Sequence, residues 1–371
     1  MKKNKFIFYL LISLLVSCNN NNKKQKLNYT LSKVKTYEYA IDNTTHYFSY
    51  FTYVLHDKYL LRDNYNSNCT YLLDINNQKI IKNDEFKIEG PNGIPDFPGA
   101  AVYPLKKDSL VVVSVSGRTY ITDKNKVVFS RKNIKNNEVF RSYGLNPYQP
   151  KLYNGCIYLW KSSDFLPKEN QFFTQANYFK FNLKTHSLKN IPIYHLNKTL
   201  GASNFLLRSY FTQKGNNLII GFGNIPKLLK FNMDTNKITD TITPYTPPEV
   251  KVKFINNEDE NEAIKLKNNY FFYNIIYDKY RDVYYRFIFS PVSDISKATK
   301  KYDFFQTMPF IIQTLDADFN TLAINKFKEN TYNLYDYFVT KEGLWISKNN
   351  FNNPNFDENK QVFDIFKLTA K

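Results

Sequence analysis

Residues Leu228–Ile242, with the sequence LLKFNMDTNKITDTI, have the form of a β-hairpin. An apolar run enters a polar turn of Asn, Asp, Thr and Lys, and a second run of alternating character leaves it. The same form recurs in Thr70–Ile81, Thr119–Ser130 and Tyr178–Ile193. The four turn centres follow one another at intervals of roughly 50–60 residues, which is enough for one four-stranded sheet per interval.

Two further units are expected at Tyr284–Phe305 and Tyr332–Lys367. Six units predict an all-β fold, a six-bladed β-propeller of four-stranded antiparallel sheets over residues 29–371. The segment Lys33–Ile41 is expected to pair with Val362–Leu368 and to close the last blade with both chain ends. Seven blades remain an alternative. A pair of β-sandwiches or a β-helix fits less well, because the repeat is too long for the first and too irregular for the second.

Composition agrees with strands, since aromatic residues make up 17% of the chain and pack well on a pleated sheet. The best helical candidate is the short, charged segment Asn256–Asn268. The formal charge is +18, but the lysines are scattered, with no dense basic run outside the N-terminal segment and Lys297–Lys301. We therefore expect no nucleic-acid partner. An acidic polysaccharide or lipopolysaccharide fits the charge better.

The first eighteen residues, MKKNKFIFYLLISLLVSC, have the pattern of a secretory signal peptide. Lysines precede an apolar run, and the stretch Leu15–Cys18 resembles a bacterial lipobox. The resemblance implies that residues 1–17 are removed and that Cys18 carries lipid, palmitate included, followed by a flexible tether over 18–28. The alternative is an uncleaved anchor, but spanning helices need roughly 20 apolar residues. We expect attachment to the outer membrane, facing the periplasm.

No motif predicts a cofactor or a metal. The four histidines have no metal-ligand spacing, and Cys69 and Cys156 either form a disulfide or are two buried thiols. The stretch Gly221–Gly223 begins like a dinucleotide-binding loop, but Pro226 occupies the third-glycine position and no βαβ unit surrounds it.

Several segments carry a resemblance to a known family. They are Glu89–Ile94 (EGPNGI), Tyr277–Phe287 (YDKYRDVYYRF), Gly343–Ser347 (GLWIS), Asn353–Pro354 and Phe363–Leu368 (FDIFKL). With the lipobox, they make the chain similar to the bacterial lipoproteins of domain of unknown function 4221, which resemble TolB-like six-bladed propellers. The resemblance covers essentially the whole mature chain. It implies no established activity, so no catalytic residue is carried over.

The run Tyr277–Phe287 is the densest polar and aromatic cluster. Read as one strand, it places Asp282 with Tyr284 and Arg286 on one face, and Arg281 with Tyr285 on the other. One interpretation is a ligand site near the channel. Its candidate residues are Asp278, Arg281, Tyr284, Tyr285 and Arg286, with Asn92 from a loop at a channel mouth. The favoured alternative is structural, with Arg281 paired to Asp278 and the Asn92 loop a connector between blades.

The function we expect is that of a monomeric, lipid-anchored propeller that binds or scaffolds a glycan, a peptide or an envelope protein. The alternative is a polysaccharide-acting hydrolase or lyase with its site at the channel mouth. Such an enzyme needs converging carboxylates, and the spacing of the candidates selects no pair. These candidates are Asp63, Asp96, Asp278 and Asp316.

Overall fold

A computed structural model of the chain describes residues 27–371, apart from residues 43–44, 47–48, 50, 65–67, 96, 98–99, 107, 115–117, 125, 133–148, 161–172, 175, 197, 199–201, 204 and 257–258. The predicted signal peptide, Cys18 and most of the predicted tether lie outside the described residues.

The described residues form 24 strands, two short α-helices and the 3₁₀ turn Ile295–Lys297. The strands are β1 (Tyr29–Ala40), β2 (Thr52–Leu55), β3 (Tyr59–Asn64), β4 (Cys69–Asp74), β5 (Lys79–Glu85), β6 (Ala101–Lys106), β7 (Ser109–Val113), β8 (Arg118–Asp123), β9 (Lys126–Lys132), β10 (Lys151–Tyr153), β11 (Cys156–Trp160), β12 (Tyr178–Asn182), β13 (Leu188–Ile191), β14 (Ser209–Lys214), β15 (Asn217–Phe222), β16 (Ile225–Asn232), β17 (Lys237–Ile242), β18 (Phe271–Asp278), β19 (Val283–Phe289), β20 (Phe310–Leu315), β21 (Thr321–Phe327), β22 (Asn333–Thr340), β23 (Gly343–Ser347) and β24 (Lys360–Ala370). The helices are α1 (Glu262–Lys267) and α2 (Phe304–Thr307). Neither helix of the described chain has the length and apolar content needed to cross a membrane.

The strands form six four-stranded antiparallel sheets. Blades 1 to 5 take four consecutive strands each, β2–β5, β6–β9, β10–β13, β14–β17 and β18–β21, and blade 6 has the order β1-β24-β23-β22. The prediction of a six-bladed propeller is therefore confirmed. The four predicted hairpins are the outer strand pairs of blades 1 to 4.

The unit predicted at Tyr284–Phe305 is wrong in its second strand. Phe304 and Phe305 belong to α2, and β20 begins only at Phe310. Both rings are buried in the core between blades, and this tertiary burial overrides their strand propensity. The helix predicted at Asn256–Asn268 is present over the shorter span of α1.

The outer hairpin turns of blades 1, 3 and 4 share one construction. A side-chain oxygen of the last strand residue accepts hydrogen bonds of 2.8–3.1 Å from the backbone N–H groups two and three residues later. These capping residues are Asp74, Asn182 and Asn232. The residue four positions after each cap has a φ between 51° and 54°. An Asp or Asn cap thus ends the strand, and one left-handed residue begins its return.

The hydrophobic core is divided among the spaces between blades. In the described part of the chain, six clusters of buried side chains each join two neighbouring blades, and together they go once around the ring. Each blade is therefore apolar on both faces. This explains why the middle strands of a blade, such as β19 and β20, are buried along their whole length.

The inner strands β2, β6, β10, β14, β18 and β22 surround the central channel. Neighbouring inner strands are hydrogen-bonded to each other near their beginnings, as when the Tyr273 hydroxyl donates to the Leu334 carbonyl (3.1 Å). Residues just after their ends are also hydrogen-bonded, as when the Arg281 guanidinium donates to the Lys341 carbonyl (2.8 Å). The inner strands thus run in the same direction. We call the end of the ring where they begin the upper face and the end where they finish the lower face.

The two chain ends close the ring. The N-terminal strand β1 is the outermost strand of blade 6 and pairs with β24 from Tyr29 opposite Ala370 to Ala40 opposite Lys360. This pairing confirms the predicted closure, and it places the beginning of β1 and the C-terminus at the lower face, where the Lys371 N–H donates to the Asn28 carbonyl at 2.9 Å.

A buried ion pair lies where blade 6 meets blade 1. The Arg62 guanidinium of β3 pairs with the Asp336 carboxylate of β22, and both side chains are almost wholly buried. Arg62 also donates to the Tyr39 hydroxyl at 2.5 Å, and the Thr52 hydroxyl donates to Asp336 at 2.8 Å. Burial raises the pKa of Asp336, and the charge of Arg62 opposes that rise. The pair thus joins the first blade of the chain to the last.

We predict that Arg62→Met lowers the free energy of unfolding by about 3–5 kcal/mol, because it leaves the Asp336 carboxylate buried without a cation. The double variant Arg62→Met/Asp336→Leu should recover most of that loss. Urea unfolding of the three proteins measures both effects. A double variant as unstable as the single one would show that the loss comes from packing and not from the unpaired charge.

The Asx caps give a second prediction. Asn232→Ala removes the acceptor for the N–H groups of Asp234 and Thr235 and should destabilise the protein by ~1–2 kcal/mol. Asn232→Asp keeps the acceptor and serves as the matched control, with an unfolding midpoint close to that of the wild type. Equal midpoints for the Ala variant and the wild type would contradict the capping role.

Candidate functional site

The run Tyr277–Phe287 is a hairpin and not a single strand. β18 ends at Asp278 and β19 begins at Val283, with Tyr277 opposite Tyr284. The predicted alternation is therefore wrong for Arg281 and Asp282, which lie in the turn, where Asp282 has a φ of 53°. Asp278 and Asp282 repeat the spacing of cap and left-handed residue found in the outer hairpins, and this spacing is the sequence signal that the strand interpretation missed.

The Asp278 carboxylate organises this turn. Its Oδ1 accepts from the backbone N–H groups of Tyr280 (2.9 Å) and Arg281 (3.2 Å), and its Oδ2 accepts from the Arg281 guanidinium (2.8 Å) and the Tyr285 hydroxyl (3.0 Å). The carboxylate is fully buried. The structural Arg281–Asp278 pair suggested by the sequence is thus present, and it uses the acceptor capacity of both oxygens.

The turn is also bonded to both neighbouring blades. The Arg281 guanidinium donates to the carbonyls of Thr340 (3.3 Å) and Lys341 (2.8 Å) in blade 6. On the other side, Asp282 forms an ion pair with Lys214, the last residue of β14 in blade 4. The hydrogen bond from Lys214 lowers the pKa of the Asp282 carboxyl. The turn therefore joins three consecutive blades at the lower face.

Its tip reaches a fourth blade. The Tyr280 hydroxyl donates to the Asp57 carboxylate in the first hairpin turn of blade 1, and the Lys279 ammonium lies 3.5 Å from the same carboxylate. Blade 1 is separated from blade 5 by blade 6, so this contact passes blade 6 at the lower face. We call Lys279–Asp282 the lower staple.

The other three candidates from this run lie between blades. Tyr284 and Arg286 face blade 4. The Arg286 guanidinium donates to the Pro226 carbonyl of that blade at 2.9 Å, and it lies 3.9 Å from the centre of the Phe272 ring on β18 of its own blade. Tyr285 faces blade 6 and belongs to the cluster between blades 5 and 6. All three side chains are at most 1% exposed. Their polar groups serve packing between blades.

Asn92 lies in the connector from β5 to β6, at the upper face. The connector is tied by hydrogen bonds from Gly93 to the Gly90 carbonyl (2.9 Å) and from Ile94 to the Lys87 carbonyl (2.7 Å). Ile94 is fully buried, whereas Asn92 is half-buried. The six predicted site residues are thus not brought into one site, because Asn92 and the lower staple lie at opposite ends of the ring.

The candidate carboxylates do not converge either. Asp63 lies near the upper end of β3, and Asp278 and Asp316 lie at the lower face, while Asp96 is outside the described residues. Burial raises the pKa of Asp63 to about 6, although its Oδ1 accepts from the Ser49 hydroxyl (2.6 Å) and the Phe51 N–H (3.1 Å). Asp316 caps a turn by accepting from the N–H groups of Asp318 and Asn320.

One lysine of an inner strand forms no ion pair with a carboxylate of the described residues. Lys151 begins the inner strand β10, just after Gln149, whose amide donates to the Thr52 carbonyl of blade 1 at 3.2 Å. Lys151 is half-buried, and burial lowers the pKa of its ammonium to about 8. No carboxylate of the described residues forms an ion pair with it. The ammonium is therefore partly desolvated, while part of the side chain still reaches solvent.

The sequence gives no local signal for Lys151. The strand β10 has only three residues and resembles many other short runs that contain a lysine. The burial of Lys151 depends on contacts with other blades of the ring. The two cysteines are free thiols on blades 1 and 3. Gly221 is a packing position, since a Cβ there would come within 2.2 Å of the Tyr210 ring. Within the described residues, no group of three or more His, Cys, Asp and Glu side chains is arranged to hold a metal ion.

The comparisons with known proteins agree with this architecture. The family described as domain of unknown function (DUF4221) matches residues 22–323. A crystal structure of a DUF4221 member from Bacteroides vulgatus is similar with a TM-score of 0.78 and 26% identity, covering 94% of this chain and 100% of that one. A putative exported protein from Bacteroides fragilis, 9% identical with a TM-score of 0.56, covers 94% and 99% and shares the fold. No curated protein matches the sequence. Because the family match extends over most of its length, the chain belongs to the DUF4221 family.

Proposed function

We propose that this protein is a lipid-anchored binding module of the bacterial cell envelope, whose channel receives an anionic group of a glycan, a peptide or a protein partner. The observation that carries the proposal is Lys151, which begins the inner strand β10, is half-buried and has no carboxylate partner among the described residues. A cation in such a place is unfavourable until an anion reaches it, so an incoming carboxylate or phosphate gains both a charge pair and a hydrogen bond.

The expected direction of entry follows from the place of Lys151 in its strand. Lys151 begins β10 and so lies toward the upper face, whereas Tyr280 and Lys279 join Asp57 at the lower face; we expect a ligand to enter by the upper mouth. Connectors between blades and the turns between second and third strands meet at that face. Loops on a rigid scaffold are where binding groups are usually found. A ligand would therefore contact upper-face loops while its anionic end lies at Lys151.

The cellular location belongs to the same proposal. The charged start, the apolar run of residues 6–16 and Cys18 support cleavage after residue 17 and lipid on the cysteine. More than one acyl chain is needed for stable anchoring. The tether of residues 18–28 then joins the lipid to β1, which begins at the lower face. We place the protein on the outer membrane, facing the periplasm.

We predict that a peptide with a free carboxyl terminus raises the melting temperature of the protein more than its C-terminal amide does, at pH 7. Lys151→Met should abolish the difference, whereas Lys184→Met, an exposed lysine of the same blade, should keep it. The difference should also disappear near pH 10, because the Lys151 ammonium, with a pKa of about 8, is then neutral.

The unliganded protein provides a second readout in the same variants. Between pH 8 and the normal lysine range near pH 10.4, the unfolded chain holds a proton at Lys151 that the folded protein has released, so stability should rise with pH. Lys151→Met should flatten that rise. Equal responses to the acid and the amide, or a Lys151→Met variant that keeps the difference, would contradict the proposal.

The lipid anchor is tested separately. Cys18→Ser should leave the protein without lipid and move it from the membrane fraction to the soluble fraction, and metabolic labelling with a palmitate analogue should lose its signal. Cys69→Ser is the matched control and should remain membrane-bound and labelled. Fractionation that does not distinguish Cys18→Ser from the wild type would contradict lipid attachment at Cys18.

A further inference from the structure

A basic and aromatic segment is displayed on the upper face, in the connection between β19 and β20. Lys300 and Lys301 are exposed, and the following Tyr302 is 46% exposed. No ion pair engages either of these two lysines within the described residues. The segment thus places two ammonium groups, neither in an ion pair with a described residue, directly beside an exposed aromatic ring.

This segment is held from below at both ends. The Lys267 side chain of α1 is 3% exposed, forms an ion pair with Asp303 and lies 3.3 Å from the Thr299 hydroxyl. Thr299 and Asp303 flank the three displayed residues directly. The next residue, Phe304, is fully buried in the cluster between blades 5 and 6. The geometry of the segment is thus fixed before any ligand arrives, which reduces the entropy lost on binding.

The ring of Tyr302 is also fixed in orientation. It stacks on Phe205 with ring centres 5.1 Å apart and planes 10° apart, and Phe304 meets both rings edge-on. The Arg208 guanidinium carbon lies 4.0 Å from the Phe205 centre. The Tyr302 hydroxyl donates to Glu262 at 2.8 Å, and burial together with this bond raises its pKa to about 12. One face of the ring is therefore packed, and much of the rest is open to solvent.

We infer that Lys300, Lys301 and Tyr302, supported by Phe205, form a binding site for an acidic glycan; we call it the upper rim site. A sugar ring has an apolar C–H face that matches the exposed aromatic ring, and polar edges that match hydrogen-bonding groups. The two ammonium groups neutralise the carboxylates or sulfates of successive sugars. This inference rests on the proposed binding role and names a ligand class for it.

A bilayer surface is the less suitable partner for these residues. Both chain ends lie at the lower face, with β1 beginning at Tyr29 and Lys371 bonded to Asn28. With lipid at Cys18, the membrane would lie below the ring while the upper rim site points away from it. A single-stranded nucleic acid also presents stacking rings and charge, but such grooves use several aromatic residues along a basic track, and the upper rim site as defined has one exposed ring, that of Tyr302.

The test measures binding of hexagalacturonate and of its neutral methyl ester to the full-length lipoprotein in detergent, by calorimetry at low salt. We expect the acid to bind at least about tenfold more tightly than the ester. Tyr302→Ala should weaken binding of the acid by about tenfold, while Tyr302→Phe, which keeps the ring, should stay within about threefold of the wild type. Replacing Lys300 and Lys301 together by Ala should weaken binding and reduce its dependence on salt.

Lys184→Ala is the control for general loss of positive charge and should bind as the wild type does. Melting temperatures show whether each variant is folded, and retained binding by a folded Tyr302→Ala protein would overturn the inference. So would equal affinity for the acid and its ester, or binding of phosphatidylglycerol vesicles or of a dT oligonucleotide in place of the glycan. Because the peptide assay at Lys151 does not involve Tyr302, a failure here leaves the channel proposal standing.

Discussion

The pairing of β1 with β24 is the contact on which the ring depends, because no covalent bond joins its two ends. Asp364 of β24 is the polar centre of this closure. It is 2% exposed and accepts from the Thr36 hydroxyl (2.7 Å), the Lys33 ammonium (2.9 Å) and the Tyr332 hydroxyl (2.8 Å). The N-terminal strand is thus bonded both to its neighbour in the sheet and to the segment that enters blade 6. Every other blade consists of four consecutive strands and needs no pairing between the two ends of the chain. The entropy lost in bringing those distant ends together is therefore opposed by the contacts of this one sheet.

Closure gives the two faces of the ring different roles. At the lower face, the termini, the Asx-capped turns and the lower staple tie blades to one another through short turns. At the upper face, the connectors are longer, and one of them carries α1 and another α2. A rigid lower face fixes the positions from which the upper loops project. This is the arrangement in which long loops can differ in sequence without disturbing the blades.

The sequence predicted the parts of the fold that depend on local pattern. Hairpins such as Leu228–Ile242 carry their turn residues within a few positions, and the closing pair β1–β24 follows from having six units and two free ends. The run Tyr277–Phe287 was misinterpreted, because alternation continues through it while the Asp278 cap breaks the strand. Neither the burial of Lys151 nor the stacking of Tyr302 on Phe205 could be predicted, since each depends on residues that are distant in sequence and meet only in the closed ring.

The fully buried cations elsewhere in the chain support the proposal that the half-buried Lys151 has a role in binding. Arg62 has the Asp336 carboxylate, and Lys267 has Asp303. Even Arg286, which faces no carboxylate in the described structure, is stacked on Phe272 and donates to a carbonyl. Where a cation serves the fold, then, the chain supplies an acceptor or a ring, as the cost of desolvating a charge requires. Lys151 lowers stability below its pKa without such compensation. A position that opposes folding in this way is expected where strain or charge is held ready for a ligand.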